Sequence, residues 1–206
     1  MRHLSMLCLG DSYTIGEKVS RNDTWPAQVA QLLQARNIVL SPTVVAQTGW
    51  TVDDLLDAIY LRPSLVQQTY DLAFILIGVN NQYRQYPFEW FERDLKGIVR
   101  LVKDDIGLPK GRICLLSIPN YGKYPAIPTE TKAQVQEEIK RYNEYIAHYA
   151  KVQHLHFLDL TAFCQLAEQD RRYVAKDLLH PSGKMYYKWA EKMIKSDPLQ
   201  SLIGKM

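Results

Sequence analysis

Five short, nearly continuous apolar runs punctuate the chain: "LSMLCLG" from Leu4, "TVVAQTG" from Thr43, "DLAFILIG" from Asp71, "RICLLSIP" from Arg112 and "LHFLDL" from Leu155. Strict alternation of apolar and polar residues would mark strands with one wet face. Unbroken apolar character instead marks strands covered on both faces, as in a parallel sheet between helical layers. The longer segments between the runs read as amphipathic helices over residues 26–36, 52–61, 88–103, 130–151 and 182–194. In the fourth of these, Val135, Ile139, Tyr142, Ile146 and Tyr149 recur every three or four positions and give one core-facing stripe. Pro26 suits a first helical turn, and Gly107 with Pro109 stops the third helix before the fourth strand.

Alternation of strand and helix implies a three-layer α/β/α sandwich, flavodoxin-like, with right-handed crossovers and a mainly parallel five-stranded sheet. No linker or composition break divides residues 1–206, so one domain is expected. Ligands gather at the carboxyl ends of the strands in such sheets. The loops that matter are therefore 10–16, 48–52, 78–87, 119–128 and the stretch leading into the last of these helices.

Composition narrows the chemistry only a little. A net charge of +3 with interspersed signs gives no basic stripe for a nucleic acid. No run approaches the roughly 18 apolar residues of a membrane span. The apolar run after "MRH" is too short for a secretory leader and lacks a cleavage site, so a cytoplasmic location is expected. Cys8, Cys114 and Cys164 are far apart and lie among apolar neighbours, which suits small core hydrophobes better than ligands or a disulfide. No cluster of Cys, His and carboxylate has metal-ligand spacing, so neither a metal nor an organic cofactor is implied.

Ser12 stands just past the first strand, where backbone N–H groups entering a helix or turn can stabilise a nearby anion. A serine there also serves as a helix cap, or as part of a non-catalytic anion-binding loop of the flavodoxin-like kind. A Walker loop is excluded because no Gly-Lys-Ser/Thr follows, and Thr14 breaks the Gly-x-Ser-x-Gly pattern. Of five histidines only His180 has suitable company: in "AKDLLHPSGK" it follows Asp177 by three residues. That spacing in a loop can set a carboxylate against Nδ1 and leave Nε2 free to take a proton. A cap before the following helix is the plainer role for His180. His148, on the long helix, and His154 and His156, beside the fifth strand, read as structural. Asn80 and Asn81, at the end of the third strand, are placed to donate an amide hydrogen into a crevice. Gly49 is placed to bring a bare N–H close to a ligand, and both features also occur in ordinary turns. The rim aromatics Tyr13, Trp50, Tyr83 and Tyr121, with Tyr86 and Tyr124, are candidate pocket walls or packing.

Taken together, "GDSYT" at residues 10–14, Gly49, "GVNN" at 78–81 and "DLLHP" at 177–181 resemble the SGNH, or GDSL-like, hydrolase family, in the family's order and over nearly the whole chain. The paired Gly-Asp-Ser and Asp-x-x-His-Pro blocks are its most specific part. The resemblance implies a carboxylic ester hydrolase with Ser12 as nucleophile, His180 as general base and acid, and Asp177 orienting it. It also implies an oxyanion hole made of the N–H groups of Ser12 and Gly49 and the amide of Asn80. Two positions depart from the family: Asn81 stands where Asp is usual, which removes a carboxylate from any supporting contact, and Tyr13 stands where Leu is common. With no insertion long enough for a lipase lid, small or water-soluble esters are the expected substrates. Acyl transfer, and thioester or lysophospholipid hydrolysis, are alternatives at the same site.

Overall fold

The computed structural model describes residues 2–204. Its strands are β1 (Arg2–Gly10), β2 (Ile38–Ala46), β3 (Leu72–Leu76), β4 (Ile113–Leu116) and β5 (His156–Leu158), all parallel in the order β2-β1-β3-β4-β5. The chain runs from β1 outward to β2 and then returns across β1 to β3. The direction of winding therefore reverses beside β1, and that reversal opens a crevice above its carboxyl end.

The helices are α1 (Ser12–Ile15), α2 (Trp25–Gln34), α3 (Val52–Tyr60), α4 (Val79–Tyr83), α5 (Phe88–Arg100), α6 (Thr129–Gln153), α7 (Thr161–Gln169), α8 (Gly183–Met193) and α9 (Asp197–Ile203). One layer packs α2 against α8, with Trp25 and Trp189 fully buried. In the other layer α3 packs against α5, and Phe88 and Phe91 of α5 meet Tyr142 and Tyr145 of α6 in an aromatic cluster. Among the described residues no helix is long and apolar enough to cross a membrane.

The expected α/β/α sandwich and the five helices read from periodicity are all present. Three details differ. Burial on both faces holds for β1 beyond its first residues and for β3 and β4. It fails for β2 and for three-residue β5, because these two form the sheet's edges. β2 also starts five residues earlier than its apolar run and passes through Pro42, which an edge strand tolerates. Finally, α5 continues into a π-helical stretch (Leu101–Asp105) before Gly107, at φ 81°, ends it. Four further helices lie outside the five expected ranges: α1 and α4, too short at the crevice to show a hydrophobic period, and α7 and α9, of nine and seven residues, on either side of α8. Cys8, Cys114 and Cys164 are buried and unpaired, as small core side chains.

Gly10 closes β1 where it meets β3. A methyl group there would press on Thr14 Oγ1 and on the Leu76 carbonyl oxygen, and the latter is backbone that cannot rotate away. Gly10→Ala is expected to lower stability by about 1–3 kcal/mol, seen as an earlier urea midpoint at unchanged slope.

Candidate active site

Ser12 opens α1 one residue after β1 ends. It is not the cap of that turn: Asp11 is, its Oδ1 accepting the N–H of Tyr13 at 3.0 Å. The N–H of Ser12 is one of the first-turn donors and has no acceptor among the described residues. The hydroxyl Oγ is buried, 3.0 Å from His180 Nε2.

His180 belongs to a tight loop closed by the Val174–Pro181 bridge and by Ala175 N–H donating to the His180 carbonyl at 2.8 Å. Leu178, at φ 64°, turns the tip of that loop in the left-handed region. The cap of α8 is Ser182, so His180 is free of that duty. Its Nδ1 lies 2.6 Å from Asp177 Oδ2, while Asp177 Oδ1 accepts the N–H groups of Leu179 at 3.1 Å and His180 at 3.0 Å. Burial pushes the Asp177 carboxyl up, but hydrogen bonds from the His180 N–H, its imidazole and the Leu179 N–H outweigh burial and hold it below the usual carboxylate range. An ionised carboxylate only accepts hydrogen bonds. Nδ1 therefore carries the proton, and Nε2 presents its lone pair to the Ser12 hydroxyl. The Tyr13 ring flanks the imidazole with centroids 5.1 Å apart.

Across the crevice, Gly49 stands at φ 82° after β2, and its N–H has no acceptor among the described residues. Asn80 Nδ2 donates one hydrogen to the Trp50 carbonyl at 2.9 Å, which fixes the amide and leaves a second hydrogen free. Ser12, His180, Gly49 and Asn80 line one cavity of about 200 Å³. Tyr13, Tyr83 and Tyr121 line it too, as expected, and the last two meet edge to face at 6.0 Å.

Trp50 does not line this cavity: its side chain packs on the hydrophobic core, and only its carbonyl serves the site, by holding Asn80. Tyr124 is wholly buried, and Tyr86 lines a neighbouring cavity with Phe88 and Arg141. Asn81 keeps a supporting contact despite replacing an acid, because its Oδ1 accepts the Val52 N–H at 3.0 Å, as a carboxylate oxygen would. The cost is a buried Nδ2 without a partner. Thr48, Val79 and Leu179 also line the cavity, and Arg84 binds the Gly49 carbonyl from outside it. Arg84 had a sequence signal, since it follows Asn80 by four residues in a rim loop and so shares its helical face. His154 ends α6 in the left-handed region, and none of His148, His154 and His156 lines the cavity.

Residues 8–188 match the GDSL-like lipase/acylhydrolase family. The chain belongs to that family. Its activity class is accordingly that of a carboxylic ester hydrolase. Solved structures share the fold of this acylhydrolase at low identity. A member of the G-D-S-L lipolytic family from Veillonella parvula is 16% identical with TM-score 0.72, covering 93% of this chain and 96% of the other. The acetylxylan esterase Axe2 of Geobacillus stearothermophilus is 21% identical with TM-score 0.70, over 95% and 94%. The esterase EstA of a Pseudoalteromonas species, solved with monoethylphosphonate as inhibitor, is 17% identical with TM-score 0.71, over 93% and 95%. No curated protein sequence matches the chain.

Beside the serine of this acylhydrolase, Asp11 is fully buried with Oδ2 unpartnered. Burial pushes its carboxyl from 3.8 up to about 7, against the opposing N–H groups of Tyr13 and of Asp11 itself. Between those two values the folded protein keeps a proton that the unfolded chain releases, so this group makes stability fall as pH rises from about 4 to about 7. The Asp177 shift has the opposite sign and acts below the ordinary carboxylate range, outside that window. The drop in melting temperature between pH 4 and pH 7 is expected to be smaller in Asp11→Asn than in wild type.

Proposed function

We propose that the protein hydrolyses esters of short acyl groups through an acyl-enzyme on Ser12, with His180 as base and then acid and Asp177 holding the imidazole. What carries this reading is the unbroken chain from Ser12 Oγ to His180 Nε2 at 3.0 Å and from His180 Nδ1 to Asp177 Oδ2 at 2.6 Å, opening into a cavity.

Ser12 Oγ attacks the ester carbonyl carbon as its proton passes to His180 Nε2, and the carbonyl π electrons move onto oxygen. The resulting oxyanion accepts hydrogen bonds from the Ser12 and Gly49 N–H groups and from the free hydrogen of Asn80 Nδ2, donors that need no reorganisation because other bonds already fix them. Asp177 stabilises the imidazolium without taking its proton. Collapse of the intermediate breaks the bond to the alcohol oxygen, which leaves with the proton from Nε2. Water then repeats the sequence, giving up a proton to Nε2 as it attacks the acyl carbon, and the Ser12 oxygen recovers that proton as the acid departs.

A cavity of about 200 Å³ lies below the usual range for sites that enclose large ligands, and its tyrosine walls suit a compact acyl group. A short acyl group also accords with a fold relative named an acetylxylan esterase. A series of p-nitrophenyl esters tests the reading. Rates are expected to fall from acetate and butyrate to octanoate, and Ser12→Ala to abolish turnover and labelling by a fluorophosphonate. Asn80→Ala should lose about 10²–10³ in kcat, and Asp177→Asn about 10⁴. Hydrolysis surviving in Ser12→Ala would refute the assignment.

A further inference from the structure

We propose that Arg84 is a positioning residue for the oxyanion hole, locking the loop that carries Gly49 to the turn that carries Asn80. The proposal rests on the reading of those two residues as oxyanion donors. Gly49 follows β2 and Asn80 follows β3, and these strands are not neighbours: β1 lies between them. The ladder fixes the strand ends, Ala46 and Leu76, on either side of Gly10, but not the loops that carry the two donors beyond them, so contacts above the sheet must hold those loops together.

Arg84 supplies that tether. Its backbone N–H donates to the Asn80 carbonyl at 3.0 Å, and its Nη2 donates to the Gly49 carbonyl at 2.6 Å. On the far side of the guanidinium, Nη1 is 4.0 Å from Asp54 Oδ2, the oxygen that accepts the Thr51 N–H at the start of α3. The planar guanidinium thus reaches both Gly49 and the cap of α3 while its own backbone stands on the helical turn of Asn80, and a lysine's single ammonium cannot reproduce the two-sided reach. Around it, Thr48 Oγ1 donates to Glu17 and the Trp50 carbonyl accepts from Asn80, so the residue on each side of Gly49 is held as well. Glycine at φ 82° has the widest torsional freedom of any residue, and without Arg84 its carbonyl loses its only fixed partner among the described residues. Arg84 does not line the cavity. Its side chain is 42% exposed, and an ion pair so wet adds little stability. Its effect is therefore on geometry in the transition state.

Kinetics of Arg84→Ala and Arg84→Lys beside wild type and Ser12→Ala test this. In Arg84→Ala, kcat is expected to fall at least about tenfold with KM within about twofold, since a misplaced donor costs transition-state binding alone. Inactivation by a fluorophosphonate should slow by a similar factor, while the melting temperature and the acidic limb of the pH–rate profile stay in place. Guanidinium ion in solution should restore part of the lost kcat in Arg84→Ala, and Arg84→Lys should recover less than half of it. Unchanged kcat in a folded Arg84→Ala, or a loss confined to KM, overturns the proposal while leaving the Ser12 assignment standing. Wild-type rates in Ser12→Ala would overturn that assignment and this proposal together.

Discussion

The site depends on one contact: Ser12 Oγ and His180 Nε2 stand 3.0 Å apart although 168 residues of chain separate them. Neither partner is positioned by the other's local sequence. Ser12 is set by β1, the interior strand beside which the winding reverses, and by Asp11, which caps the turn and leaves the serine N–H unused. His180 is set by a loop that crosses back over the sheet and is pinned by its own backbone. The remaining donors converge on the same crevice because β2 and β3 flank β1 and end at the same level, where Ala46 and Leu76 both register with Gly10.

Electrostatics and geometry reinforce one another here. Asp177 stays ionised because three donors meet it, and that ionisation dictates which nitrogen of His180 holds a proton. Asp11, adjacent to Ser12, meets no such set of donors and is pushed toward neutrality by burial. Two neighbouring aspartates are thus pushed in opposite directions.

Much of this was legible in the chain. Continuous apolar runs located the strands because parallel strands in a sandwich have no wet face, and the runs failed as guides to burial only at β2 and β5, whose position at the edges is a property of order and not of local sequence. Ser12, Asp177 and His180 were legible through their motif blocks. Gly49 and Asn80 were legible as strand-end residues, and Tyr13, Tyr83 and Tyr121 as rim aromatics. Trp50, open between pocket wall and packing, was decided only by the structure, because a side chain's direction within a loop depends on φ and ψ, which composition does not encode. The role of Asn81 was underrated for a related reason: its amide oxygen reproduces the acceptor that an acid would supply, and only the unpaired Nδ2 betrays the exchange. Arg84 offered only its four-residue spacing from Asn80 as a signal, because its partner is a backbone carbonyl 35 residues away.

The loop from Tyr173 to Ser182 is closed by bonds of its own, through the Val174–Pro181 bridge, the Ser182 N–H to the Tyr173 carbonyl, and the Asp177 carboxylate to its neighbours, with the Ala126 N–H bracing the Leu178 carbonyl from outside. Imidazole and carboxylate accordingly form a preassembled cartridge of low contact order, whereas its docking onto Ser12 demands that every strand already be in place. Under the proposed mechanism, turnover then reads out finished topology, since the proposed base lies 168 positions after the serine it must meet.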